Sequence, residues 1–328
     1  LDAQTGQQKL AFTVPPAADG RSNEWGYVAC EGDLLLGSVC RAGAAFRIQD
    51  LDTETLIWRD FMPVVCSDAL FARDRHTGQE LWTHTPQEGV IINPTIAVGG
   101  GRMYCVESTN PRSRDYADGR VKLDVLLGQG AKLVALDVRT GKPIWQREAP
   151  FAALQHIIFL SYAKETVVVT GSKNVQVEGK GRVRYDLHAF DAATGEVLWQ
   201  NTQTPIPDHI LQGGHGEQVQ HPAIVGETIY NTGFACHLRT GEAIEGWKWQ
   251  KSGHCGTLTT SAQCAFSRYA QPRMFDLQTG QYTVLSQATR SGCWVNILPA
   301  GGLILIPEST AGCICGYPLQ TSLALSPH

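Results

Sequence analysis

The sequence predicts an all-β protein, a β-propeller assembled from a repeated four-stranded unit. Three observations carry that expectation: a turn-rich composition, a hairpin motif that returns six times, and a strand–turn–strand element ahead of it. The 328 residues include 34 Gly and 16 Pro but only 18% charged residues. That balance suits many short strands joined by tight turns rather than long helices or a disordered chain.

The hairpin motif is clearest at Ala135-Leu136-Asp137-Val138-Arg139-Thr140-Gly141-Lys142-Pro143-Ile144-Trp145. It returns at Ala189–Trp199 in sequence form AFDAATGEVLW, and at Ala72–Trp82 as ARDRHTGQELW. Shorter copies begin at Leu1-Asp2, His237-Leu238 and Phe275-Asp276. Each part has a physical purpose. The Asp side chain can accept from backbone N–H groups ahead of it, and Gly supplies the left-handed backbone that a tight turn needs. The Trp is expected to be a structural staple, its ring buried between units and its N–H on a backbone acceptor. This assigns Trp82, Trp145 and Trp199 a structural role.

The second element is Asn93-Pro94-Thr95-Ile96-Ala97-Val98-Gly99 before Arg102-Met103-Tyr104. His221-Pro222-Ala223-Ile224-Val225-Gly226 and Asn296-Ile297-Leu298-Pro299-Ala300-Gly301 repeat it. Strand, Gly turn, strand and Asp-turn hairpin together make one propeller blade. Blades are expected at 25–84, 91–147, 157–202, 217–250, 255–286 and 292–326. The turns start at residues 2, 74, 137, 191, 237 and 276, so their spacing shrinks from 72 to 39 residues. The longer spacings imply inserted loops near 40–60 and 110–130. Residues 1–14 are left over, as an orphan strand expected to complete a blade. We read 1–328 as one propeller domain that begins inside a longer protein, with seven or eight blades in the whole.

The Ala-x-Asp-x-x-Thr-Gly-x-x-x-Trp motif resembles the PQQ-like β-propeller repeat of quinoprotein alcohol dehydrogenases and of the outer-membrane assembly lipoprotein. Four segments sharpen the likeness: His215-Gly216-Glu217-Gln218 with His221-Pro222, Gly253-His254-Cys255-Gly256-Thr257, Gly292-Cys293-Trp294-Val295-Asn296, and Gly312-Cys313-Ile314-Cys315-Gly316. These resemble PQQ-like propeller proteins of planctomycete type. The resemblance implies the fold; the repeat is a packing device and implies no one activity. The quinoprotein pattern also includes adjacent cysteines beneath the quinone, and this chain has no Cys-Cys pair.

Function is bounded first by exclusion. The net charge is −4 and the basic residues are scattered, which argues against nucleic acid as a partner. No apolar run reaches the ~20 residues that span a bilayer. No Cys-x-x-Cys-His occurs, which excludes a c-type haem within this chain. Ten cysteines favour an oxidising compartment, periplasmic or extracellular. Cys30, Cys40, Cys66, Cys105 and Cys236 are isolated and read as small buried hydrophobes.

Two constellations could carry chemistry. Cys255 and Cys293 each follow a Ser-Gly pair and hold equivalent places on consecutive blades, so they are expected to approach. Disulfides are expected among Cys255, Cys264, Cys293, Cys313 and Cys315. The same thiols with His254 could instead ligate zinc or copper. His215, Glu217 and His221 form the other cluster, able to bind a divalent cation or act as acid and base. Three functions follow. The leading one is a binding or scaffold domain whose partners are other protein chains. The others are a quinoprotein-type or metal-dependent oxidoreductase, with PQQ or a divalent metal as cofactor, and a propeller polysaccharide lyase.

Overall fold

The computed structural model describes residues 2, 4–17, 20–44, 63–202, 217–247, 249, 256–268, 271–292, 294–308 and 319–326. They divide into two compact units. One holds residues up to 169 with Phe190–Glu196; the other holds Thr170–Ala189 and the residues from 197 onward.

In the first unit, β1 (Asn23–Glu31), β2 (Leu34–Arg41), β3 (Val64–Asp74) and β4 (Glu80–His84) form an antiparallel meander. β5 (Ile91–Ile92) pairs with both β3 and a following meander. That meander is β6 (Ala97–Gly99), β7 (Arg102–Ser108), β9 (Ala131–Asp137) and β10 (Pro143–Glu148), while β8 (Arg120–Val121) returns to β3. The expected loop near 110–130 is this excursion, which carries a 3-10 turn and a single helical turn at Leu123–Leu127.

The next sheet is β11 (Ile157–Ala163), β12 (Thr166–Val177), β13 (Lys180–Asp191) and β14 (Val197–Thr202), in that order. Then come β15 (Ala223–Val225), β16 (Thr228–Asn231) and β17 (Phe234–His237). A lone bridge, Cys236 to Ala243, marks the place of a fourth strand. The last sheets are β18 (Thr259–Thr260), β19 (Cys264–Arg268), β20 (Pro272–Asp276), β21 (Tyr282–Val284), then β22 (Leu298–Ala300), β23 (Leu303–Ile306) and β24 (Leu323–Leu325). The described strands thus group as the repeat predicts, and the fold is all-β.

Central strands are apolar on both faces because each face meets a core. On β9, Leu133 and Ala135 enter one cluster while Val134 and Leu136 enter another. On β7, Tyr104 and Val106 oppose Met103 and Cys105 in the same way. This is why these strands read as unbroken apolar text rather than alternation. Cys40, Cys66, Cys105 and Cys236 are buried free thiols, as expected, whereas Cys30 is exposed. Cys30 sits late on β1, the outer strand of its sheet, where the alternate side chains face water. Burial pushes the Cys66 and Cys236 thiols up to about 12, so they stay protonated and unreactive.

The turns repeat to the atom. Asp137 Oδ1 accepts from the amides of Arg139 (3.0 Å) and Thr140 (2.8 Å). Asp2, Asp74, Asp191 and Asp276 cap the same way. Gly141 N–H closes the turn on the Asp137 carbonyl at 2.8 Å. The Thr140 hydroxyl, above all, holds the Asp137 carboxyl below the usual range. His237 replaces Asp in one copy, and there the backbone bonds remain together with the Glu242 amide on the Thr240 hydroxyl (3.3 Å).

The tryptophans grip the turn of the unit ahead. Trp82 Nε1 donates to Val138 O, Trp145 to Ala192 O and Trp199 to Leu238 O, each at 3.0 Å. Each acceptor is the residue after the turn's first position. Each ring lies on the turn glycine: a Cβ on Gly141, Gly195 or Gly241 would stand 2.5–2.6 Å from it. Trp82 and Trp145 are buried and Trp199 is half-buried. Residues 7–14 differ from expectation, for they lie in no strand. Phe12 instead lays its ring on Gly78, 2.6 Å from where a Cβ would be. The segment is held by a ring over a turn, not by a ladder.

This geometry separates two costs of a glycine substitution. Gly6 and Gly195 share a positive φ, +69° and +71°, but Gly6 has open space around it. Gly195→Ala is expected to destabilise the protein clearly more than Gly6→Ala in urea melts, and Trp145→Ala by about 3–5 kcal/mol. Equal effects of the two glycine variants would remove the ring from the account.

Candidate functional site

Three of the segments singled out in the sequence meet in the second unit. Glu217–Val219 forms one 3-10 turn leading to His221. Gln220 is fully buried and ties two elements together. Its N–H donates to the Tyr185 hydroxyl (3.0 Å), and its Nε2 donates to Gly256 O (3.2 Å). The Ser172 hydroxyl donates to Gln218 O. Next along, the Thr257 amide and hydroxyl both donate to Asn296 Oδ1, at 3.3 and 3.0 Å. Thr259 adds a bond to Ile297 O at 2.5 Å. Gln220 and Asn296 therefore link the 217–221, 256–257 and 296–297 segments into one polar seam.

His221 is the titratable member. Burial lowers its pKa, so the ring is neutral near pH 7. Its Nδ1 lies 2.6 Å from the Pro222 carbonyl, which can only accept. The proton is therefore on Nδ1, and Nε2 carries the lone pair. His188 on β13 is likewise lowered by burial, against a raising influence from Asp186 and a further lowering from Lys173.

Of the other sequence candidates, His215, His254, Cys255, Cys293, Cys313 and Cys315 lie outside the described residues. The side chain of Glu217 does as well. Cys264, the one disulfide candidate among the described residues, is a free thiol. In the β19–β20 register it faces Asp276, and the Ser261 hydroxyl accepts from its amide at 3.1 Å. Among the described residues no thiol stands opposite. Among the described residues, no three His, Cys, Asp or Glu side chains gather to hold a metal ion.

The sequence reading also passed over an acid–base pair. His84 Nε2 and Glu107 Oε1 stand 2.6 Å apart, both largely buried, in the first unit. They line a cavity of about 240 Å³ with Glu88, Lys132 and Gln146. The signal available was position: His84 ends β4 two residues after Trp82, on the same side of the strand.

The outer edges of the sheets form a different kind of surface. β4, β10, β14 and β21 each pair on one side only. Leu81, Ile144, Val197, Tyr282 and Val284 are exposed along them. Charged residues or proline guard two of these edges: Glu80 on β4, Pro143, Arg147 and Glu148 on β10. β14 and β21 have neither, and β21 differs in that all three of its residues are exposed. Val284 holds the place, eight residues after the turn aspartate, that Trp82, Trp145 and Trp199 hold elsewhere.

The pH dependence follows from the two histidines. Their folded pKa values lie below the ordinary value of about 6.5, so the unfolded chain binds protons more readily. Their contribution is complete above that value and is lost as pH falls below it. The urea midpoint is expected to be lower at pH 5.5 than at pH 7.5, and His221→Gln is expected to narrow the gap. An unchanged gap in that variant would show that His221 is not buried in its neutral form.

Comparison with known proteins agrees with the repeat. A family model described as "PQQ_2: Outer membrane protein assembly factor BamB" matches residues 117–244. Polyvinylalcohol dehydrogenase of Sphingopyxis sp. (strain 113P3) is 26% identical over 208 residues, 56% of this chain and 30% of that one. Quinohemoprotein alcohol dehydrogenase ADH IIB of Pseudomonas putida is 28% identical over 140 residues, 42% of this chain and 18% of that one. The chain thus spans less than a third of either relative. The crystal structure of BamB from Moraxella catarrhalis aligns with a TM-score of 0.48 at 15% identity, covering 87% of this chain and 66% of that one. The unit that recurs along this chain is similar to the PQQ-like β-propeller repeat, and a family model of that kind matches its middle part.

Proposed function

We propose that this chain is a periplasmic or extracellular binding domain of the PQQ-like propeller kind, and that it docks a partner protein along β21. The observation that carries this reading is the unguarded ladder edge. A strand with unpaired backbone groups, apolar side chains and no charge or proline invites another strand. An extended segment of a partner would supply the missing backbone bonds and cover Tyr282 and Val284. The family description, a factor in outer-membrane protein assembly, supports a protein partner and a location outside the cytoplasm. No helix among the described residues is long and apolar enough to cross a membrane.

A second reading, quinone-dependent alcohol oxidation, is supported by the names of the two dehydrogenase relatives. The residues do not fit that cofactor well. The sequence lacks the adjacent cysteines of the quinoprotein pattern, and the described residues gather no three ligands for a metal ion. No chemical step is assigned through it.

One experiment separates the two. A photo-reactive residue at Thr283 is expected to crosslink to a partner in the cells that make this protein, and Val284→Lys to abolish the crosslink. Strand addition would also slow hydrogen exchange at alternate β21 amides, the ones facing away from β20. Alcohol-dependent dye reduction after adding PQQ and calcium, with no crosslink at Thr283, would overturn the binding reading in favour of the oxidoreductase.

A further inference from the structure

β13 carries two faces of opposite character. Val183, Tyr185, Leu187 and Ala189 form one, and all are buried. Arg182, Arg184, Asp186 and His188 alternate with them on the other. This polar face is buried as well: Arg182, Asp186 and His188 are each at least nine-tenths covered, and Arg184 buries its Nε. Charged side chains are seldom covered to this degree unless something compensates them.

The compensation inside the protein is incomplete. Lys173 of β12 pairs with Asp186 through Oδ2. Arg182 gives one bond to the carbonyl of its neighbour Gly181 (3.1 Å). Among the described residues no carboxylate reaches either guanidinium. Arg184 Nε and Asp186 Oδ1 are buried without a partner. Among the described residues three cations thus face one carboxylate, a surplus of two positive charges, and burial keeps His188 neutral, so it adds none. The orphaned atoms are of both kinds: a donor on Arg184 and an acceptor on Asp186.

We propose that this face of β12 and β13 binds a small tetrahedral dianion, hydrogenphosphate. The two guanidiniums match phosphate oxygens in charge and in fork geometry, and a dianion cancels the surplus. The unpaired Asp186 oxygen decides between oxyanions. Hydrogenphosphate has an O–H that it can donate to Asp186 Oδ1, whereas sulfate has only lone pairs and would face the carboxylate with repulsion. A carboxylate ligand would also lack that donor. The inference is independent of partner docking at β21, which lies on a different sheet.

Calorimetric titration of the full chain at pH 7.5, in a phosphate-free buffer, tests it. Sodium phosphate is expected to bind, with sulfate and succinate at least tenfold weaker. Arg184→Gln is expected to weaken phosphate by about tenfold or more, the scale of one charge-assisted hydrogen bond. Arg184 is part-exposed, so this variant should keep its fold, checked by its melting temperature without anion. Should it fail to fold, Arg184→Lys keeps the charge, removes the fork, and is expected to weaken phosphate too. Asp186→Asn is expected to erase the preference for phosphate over sulfate. No phosphate binding, equal affinity for sulfate in the native protein, or unchanged binding in the Arg184 variants would each overturn the proposal.

Discussion

The structure depends on a contact between an indole and a glycine. A Trp at the end of one hairpin lies flat on the turn of the next, and its N–H bonds the carbonyl beside that turn's first residue. The contact sets both requirements at once. The glycine must lack a Cβ because the ring occupies that space, and it must accept positive φ because the turn demands it. The aspartate then needs no role outside its own turn, where it satisfies two amides. Everything between successive turns is free to vary so long as the strands return to register. That freedom is visible in spacings that fall from 72 to 39 residues while every copy keeps its Thr-Gly.

How much of this was legible follows from which constraints leave a residue-type signature. The Asp, Thr and Gly of each turn are specified by local hydrogen bonds and backbone sign, so the sequence shows them directly. The strands flanking them were legible from apolar runs. The Phe12 contact was not, because it sits ten residues after Asp2 where the tryptophans sit eight after theirs. Spacing conceals a substitution that three-dimensional packing allows. The same register shift applies to Trp247, ten residues after His237, whose ring meets Phe275 edge-on and whose N–H bonds Asn231 O.

The polar features were read less well, and for a physical reason. Histidines and cysteines draw attention because their chemistry is special, so the segments around His221 and Gly256 were found. The structure joins those segments through a glutamine and an asparagine, residues with no chemical flag. The alternating Arg182, Arg184, Asp186 and His188 looks in sequence like a solvent-facing strand. Burial of both faces is a tertiary property, and only coordinates show that this charged row is covered. His84 and Glu107 are similar: they are 23 residues apart and meet only through strand pairing.

The Trp clamp also has a direction. Every ring reaches toward the C-terminus, from residue 82 to 141, 145 to 195 and 199 to 241. A hairpin emerging from the ribosome therefore cannot finish its own packing. Its indole waits, exposed, until the following turn has been synthesised and folded. From Trp82 to Trp199 completion runs one unit behind translation, and over that stretch the newest tryptophan is the surface that a chaperone would find.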